Sequence, residues 1–151
     1  PVCSSAASDV YKRQVLDKKN SGTTSGTFTR ASWETRDLIT KTDIDNIISL
    51  SNNQFTLGAG TYLIKWSAPV YNVDGHQTRL RNMSDLTTDI VGSSESDNSR
   101  SFGAGVISIL ENKTFEIQHR SETTVIDNGF GFNLDFGEDN IFTMVEVYKE
   151  S

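Results

Sequence analysis

Apolar and polar residues alternate with a period of two along most of this chain, the spacing that sends successive side chains to opposite faces of a β-strand. The clearest stretch runs through Tyr62, Ile64, Trp66, Ala68 and Val70, which share one parity and predict a hydrophobic stripe packed against a second sheet. Phe55-Thr56-Leu57 precedes it, and Gly58-Ala59-Gly60 supplies the tight reversal between the two segments. Upstream, Phe28, Trp33, Thr35 and Leu38 mark one or two short opening strands. Between Ile44 and Leu50 the apolar spacing fits a helical turn or a strand; a strand from Ile47 is preferred, followed by a turn at Ser51-Asn52-Asn53 and a further strand at Gln54 to Leu57.

Downstream the alternation is cleaner. His76 to Asn82 sets Thr78, Leu80 and Asn82 against Gln77, Arg79 and Arg81, so its second face is strongly basic. Thr87 to Val91 reads as a short strand and Gly92 to Arg100 as a polar loop. Phe102 to Leu110, Thr114 to Ser121, Gly129 to Phe136 and Ile141 to Lys149 complete about ten strands separated by turn residues. In the segment 129–136, Phe130, Phe132, Leu134 and Phe136 share one parity, which predicts a core strand. The predicted class is all-β, a two-sheet sandwich of antiparallel strands.

Two of these strands are apolar on both faces. Phe102, Val106 and Leu110 oppose Ile107 and Ile109, while Ile141, Val145 and Val147 oppose Phe142, Met144 and Tyr148. In an isolated sandwich one face of each sheet is wet, so a second apolar face calls for a partner. Ile107, Ile109, Phe142, Met144 and Tyr148 are therefore expected at an interface between copies of the chain; the alternative is that a sheet edge or a strand crossing between sheets covers them internally.

Composition narrows the classes of function. A chain of 151 residues is one domain by prior and is large enough to bury a core. Its net charge of −6 argues against a nucleic-acid partner, which demands a basic stripe. No apolar run approaches the roughly 20 residues of a membrane-spanning helix, so membrane insertion is not expected. The single cysteine, Cys3, excludes a disulfide framework and a thiolate zinc site in the rest of the chain. It lies in Pro1 to Gln14, a stretch without strand or helix period whose wording resembles translated sequencing-adapter DNA, above all Asp9-Val10-Tyr11-Lys12-Arg13-Gln14. Residues 1–14 are accordingly expected to be an adapter-derived or disordered arm, with native sequence lost upstream. Residues 15–25, polar and rich in Gly, Ser and Thr toward their end, are expected to be a linker, leaving 26–149 as the folded domain.

An ordered set of short motifs runs through that domain: Gly26-Thr27-Phe28-Thr29 with Trp33, Phe55-Thr56-Leu57-Gly58-Ala59-Gly60-Thr61-Tyr62, Ser67-Ala68-Pro69, His76-Gln77-Thr78-Arg79-Leu80, Phe115-Glu116-Ile117-Gln118-His119-Arg120, Gly129-Phe130-Gly131-Phe132 and Glu146-Val147-Tyr148-Lys149. Together they resemble the jelly-roll domain shared by the globular head of complement-q and tumour necrosis factor, in the version found at the C-termini of bacteriophage tail-fibre and other virion proteins. The resemblance implies a jelly roll that assembles as a homotrimer, often at the tip of a fibrous stalk, on a virion or outside the cell. The chain departs from vertebrate members in carrying no collagen-like Gly-X-Y segment, which puts a collagen stalk in doubt.

No catalytic constellation emerges, and no metal or cofactor is expected. His76 and His119 fall within strand patterns and read as satisfied core or interface residues. Asp43 and Asp45, and Asp135, Glu138 and Asp139, read as solvated loop charge without the ligand spacing of a calcium loop. Arg79 and Arg81 suit a carboxylate or sulfate, although pairing with Glu116 or Glu122 is the plainer expectation. The function expected is non-enzymatic recognition of a host-surface glycan or protein through polar loops, with Asn72, Asp74, Glu95, Asp97, Arg100, Asp127 and Asn128 as the contacting residues. The alternatives are a purely structural trimerisation cap and, more weakly, a polysaccharide-cleaving enzyme.

Overall fold

The structure, a computed structural model, describes residues 13–150. They form eleven strands: β1 (Arg13–Lys19), β2 (Glu34–Thr35), β3 (Thr40–Thr42), β4 (Ile48–Ser51), β5 (Gln54–Leu57), β6 (Gly60–Pro69), β7 (Gly75–Asn82), β8 (Thr87–Ser96), β9 (Arg100–Ile109), β10 (Lys113–Ser121) and β11 (Asn140–Lys149). Five of them make one sheet in the order β3-β1-β11-β6-β9, and six the other, in the order β4-β5-β10-β7-β8 with β2 paired to β10. Every strand pair is antiparallel, and the chain passes repeatedly from one sheet to the other. This is the two-sheet antiparallel sandwich that the alternation predicts, in the jelly-roll form that the resemblance implies.

The core lies between the sheets and comes from the inward parity of each strand. Tyr62, Ile64 and Trp66 of β6 meet Leu80 of β7, Phe55 and Leu57 of β5, and Phe115 and Ile117 of β10. Trp66 fixes the spacing locally. Its indole lies across Gly103, its partner on β9, and a Cβ there would stand 2.0 Å from the ring. Only glycine leaves room for that approach. The indole N–H donates to Thr78 Oγ1 at 2.8 Å, so the buried donor is satisfied.

Four expectations are corrected. The stretch read as a linker carries β1, whose pattern is masked by Asp17, Lys18 and Lys19. Val15 is fully buried, and Asp17, also buried, is neutralised by Lys19 at 3.1 Å, so polar residues sit inward without an unpaired charge. The same strand begins at Arg13, inside the expected arm, and Arg13 pairs with Asp45; the expectation for residues 1–12 lies outside the described residues.

Secondly, 129–136 is not a core strand. Phe132, Leu134 and Phe136 are 54%, 42% and 80% exposed. Gly131 and Gly137 take positive φ, and Asn140 bonds both the N–H and the C=O of Leu134, occupying with one side chain the place of a neighbouring strand. The resulting loop covers Phe142, whose ring closes against Gly131.

Thirdly, the loop expected at 92–100 is mostly strand. β8 continues to Ser96, and the connection to β9 is the short turn at Asp97, Asn98 and Ser99. Finally, Ile107 and Ile109 point into the core, so the apolar face that β9 leaves open is the opposite one.

Candidate functional site

At one end of the sandwich the 70–74 loop, the β8–β9 turn and the 121–131 segment pack together. Asn98 Oδ1 accepts from the Asn72 backbone N–H at 2.9 Å, Asp97 N–H donates to Asp74 C=O at 2.9 Å, and Thr123 Oγ1 donates to the Asp74 carboxylate. Asp127 and Asn128 join the rim through Gly26 and Thr27. Asn72, Asp74, Asp97 and Asp127 all hold positive φ, as Asn and Asp tolerate in tight turns. This apex gathers Asn72, Asp74 and Asp97 from the expected contact set. Arg100 does not belong with them, because it donates inward to Ser67 Oγ at 3.2 Å and to the Phe142 carbonyl. Glu95 is a strand residue opposite His76.

Below the apex runs a buried polar chain that the periodicity does not reveal. Arg36 is fully buried and makes no salt bridge among the described residues; it donates to Thr143 Oγ1 at 2.7 Å, the Pro69 carbonyl at 2.9 Å and the Phe130 carbonyl at 2.8 Å, and its guanidinium carbon lies 4.5 Å from the centre of the Phe130 ring. Burial, opposed by the charge of Asp17 and aided by that of Arg100, lowers its pKa to about 9, so it remains charged at neutral pH. Beyond it stand His119 Nδ1 at 3.4 Å, His76, and Ser99 at the turn. Arg36 tethers three segments from inside, a positioning role for the apex loops.

The outer face of the five-stranded sheet is different in kind. Register places Leu16, Met144, Ser67 and Phe102 in one row across four strands, and Tyr148, Leu63 and Val106 in another. Phe102 and Val106 are 57% and 66% exposed, Met144 and Tyr148 half-buried. A shallow concavity of about 480 Å³ opens between Phe102, Met144 and Lys65, floored by Gly103 and Ala104. Of the five expected interface residues, only Met144 and Tyr148 lie on this face with accessible surface; Phe142 is covered by the 129–136 loop, and Ile107 and Ile109 are core.

On the outer face of the six-stranded sheet, Arg79 donates through Nε and Nη2 to Gln118 Oε1 at 2.8 and 2.6 Å, and its guanidinium lies 4.0 Å from the ring centre of Trp33. The expected pairing of Arg79 and Arg81 with Glu116 or Glu122 does not occur: among the described residues neither makes an ion pair. Glu116 is taken up by Thr35, Gln54 and Gln118, and Glu122 by the Gly75 N–H. Desolvation and then the neighbouring charges of Arg81 and Arg120 push the Arg79 pKa down. A concavity of about 290 Å³ beside Trp33 is lined by His76, Gln77, Ser94, Glu95 and Arg120 among others. The sequence carried the basic parity of β7; only the fold joins it to Trp33 and Arg120. Among the described residues no group of three His, Cys, Asp or Glu side chains is placed to hold an ion.

No family model and no curated protein matches the chain. Solved structures do. Murine APRIL superposes with a TM-score of 0.52 at 11% identity, over 90% of this chain and 98% of that one. The globular domain of zebrafish complement 1qA protein gives 0.51 at 13% identity, over 91% and 94%. At such identities the likeness is one of fold: the chain has the complement-q and tumour-necrosis-factor-like jelly roll.

Proposed function

We propose that this chain is a non-enzymatic recognition domain that works as a homotrimer, in which three copies close around the outer face of the five-stranded sheet and present the opposite sheet and the apex loops outward. The observation that carries the reading is the double row of apolar side chains ending in Phe102 and Val106. Exposed apolar rows on a regular sheet face are costly in water and are the usual material of a subunit interface. The number three comes from the family resemblance of the sequence motifs, and so does the setting, the tip of a phage tail fibre or similar virion protein, acting outside the cell on a host-surface glycan or protein.

Static light scattering of the purified chain tests assembly, with about three times the chain mass expected. A monodisperse monomer at micromolar concentration overturns the reading. Adsorption of the labelled trimer to candidate host cells tests recognition, and a trimer that adsorbs to none leaves only a structural cap.

A further inference from the structure

We propose that the outer face of the six-stranded sheet holds a binding site for an acidic saccharide, Arg120 and Arg79 taking the anionic group and Trp33 the apolar face of the sugar ring. The inference rests on the recognition reading above and names its ligand class and its place, which is this sheet face in preference to the loops.

The chain has 20 acidic residues against 14 Lys and Arg, and of the ten other Lys and Arg among the described residues five, Arg13, Lys18, Lys19, Lys41 and Lys113, have carboxylate partners. On this face the excess of acid is not used. Arg79, Arg81 and Arg120 stand on two adjacent strands with no ion pair among the described residues, and Arg81 and Arg120 make no side-chain hydrogen bond there either. Register sets Arg79 opposite Gln118 and Gln77 opposite Arg120, so Arg120 is diagonal to Arg79, about 7–8 Å away between strand positions. That separation suits two guanidiniums closing on one carboxylate or sulfate.

The residue that orients Arg79 is a neutral amide. Gln118 binds Nε and Nη2 and leaves Nη1 without a partner among the described residues, so the guanidinium is fixed without being neutralised. Trp33 lies against that guanidinium and lines the concavity, where Gln77, Ser94 and Glu95 offer donors and acceptors at hydroxyl height. An aromatic plane, a cation and mixed amide, hydroxyl and carboxylate groups are the set a charged pyranose needs. Glu95 and Glu122 on the rim also exclude a long polyanion, whose neighbouring charges they would repel. The ligand is therefore a single acidic sugar unit, and the proposed trimer leaves this face outside.

Calorimetric titration of the full chain tests this with α2,3-sialyllactose, a glucuronate-terminated hyaluronan tetrasaccharide and a 6-sulfated N-acetyllactosamine as probes, which separate carboxylate from sulfate sources. Lactose serves as the neutral control and N-acetylglutamate as an acid without a ring. At least one acidic saccharide should bind about tenfold or more tightly than both controls, and Arg120→Gln and Trp33→Ala should each weaken it by about tenfold, the loss expected for one charge-assisted contact. Arg120 is exposed, so its replacement leaves the fold intact; Lys113→Gln, about 23 Å away along β10 at 3.3 Å per residue, should change nothing. Equal binding of lactose, undiminished binding by Arg120→Gln, or uniform binding of every anion that vanishes with salt would each overturn the site. If no probe binds at about 10 mM, a concentration that captures even weak affinities, while the trimer still adsorbs to cells, this site falls and the recognition reading stands. If neither binds, both fall.

Discussion

His119 and His76 meet ring to ring inside the sandwich, with Nε2 of one 2.9 Å from Nδ1 of the other. Only one arrangement of protons satisfies the whole chain of contacts. Arg36 has only donors, so His119 Nδ1 accepts, its Nε2–H donates to His76, and His76 Nε2–H donates to Ser99 Oγ, which passes its own proton to the Ser96 carbonyl. Both imidazoles are neutral in this arrangement. A second proton on either ring would turn donor against donor beside a buried guanidinium.

A pH dependence follows. Burial pushes the His119 pKa well down, helped by Arg36 and His76; burial also lowers that of His76, with Glu95 and Asp97 working in the other direction and Arg36 with it. A folded pKa below the unfolded value of about 6.5 means that the unfolded chain binds the proton first, so this stabilisation is present above about pH 6.5 and is lost as pH falls below it. Each imidazole that stays neutral contributes a limiting slope of about 1.4 kcal/mol per pH unit in that window. Urea midpoints should fall between pH 7 and 5, and less so in a His76→Asn variant. An equally steep fall in that variant would assign the effect elsewhere.

Arg36 should not tolerate lysine. A single ammonium cannot span Thr143, the Pro69 and Phe130 carbonyls and His119, and whatever it leaves unpaired is buried. Arg36→Lys is expected to destabilise by about 2–4 kcal/mol, the range for breaking a buried charged network, with a denaturation midpoint as the measurement. A change below about 1 kcal/mol, the net worth of one ordinary hydrogen bond, would show that the apex does not depend on this tether.

The open and buried faces of the five-stranded sheet should separate assembly from folding. Phe102→Asp changes a side chain that is 57% exposed, so it should yield a folded monomer by light scattering and circular dichroism. Phe142→Asp, at 3% exposure beneath the 129–136 loop, should unfold the chain or cost about 3–5 kcal/mol. A Phe102→Asp chain that keeps the mass of the parent would remove this face from the interface.

Much of the fold was legible because period two is a direct consequence of burying one strand face. β6 and β7 follow from Tyr62-Ile64-Trp66 and from Thr78-Leu80-Asn82 with their parities as expected. The period misleads where polar side chains do apolar work or the reverse. Asp17 and Lys19 point inward as a pair and disguise β1, while Phe130 to Phe136 alternate like a strand but find in Asn140 a substitute for one. Arg36 gives no periodic signal at all, since its burial depends on carbonyls distant in sequence. The apex was partly legible, because Asn72, Asp74 and Asp97 are turn-formers; the surroundings of Trp33 were not, because they join β7 and β10 with the segment before β2 through long-range register.

Gly103 should be irreplaceable even by alanine. A Cβ at this position would lie 2.0 Å from the Trp66 ring, which is itself held by the bond to Thr78, and Thr78 in turn meets Ser101 Oγ at 2.7 Å. The indole cannot swing away without abandoning that buried bond. Gly103→Ala is therefore expected to cost about 3 kcal/mol or more, the upper range for forcing volume into a packed core, seen as a lower urea midpoint together with a red shift of tryptophan emission. Gly105→Ala is the comparison: a Cβ there approaches the terminal methyl of Ile90, half-buried against the core, at 2.8 Å, and that end of the side chain can turn away, so the cost should be about 1 kcal/mol, as a modest overpacking does. If the two substitutions prove equally mild, the indole is free to move, and the close approach of Trp66 to β9 is not what sets the spacing of the sheet.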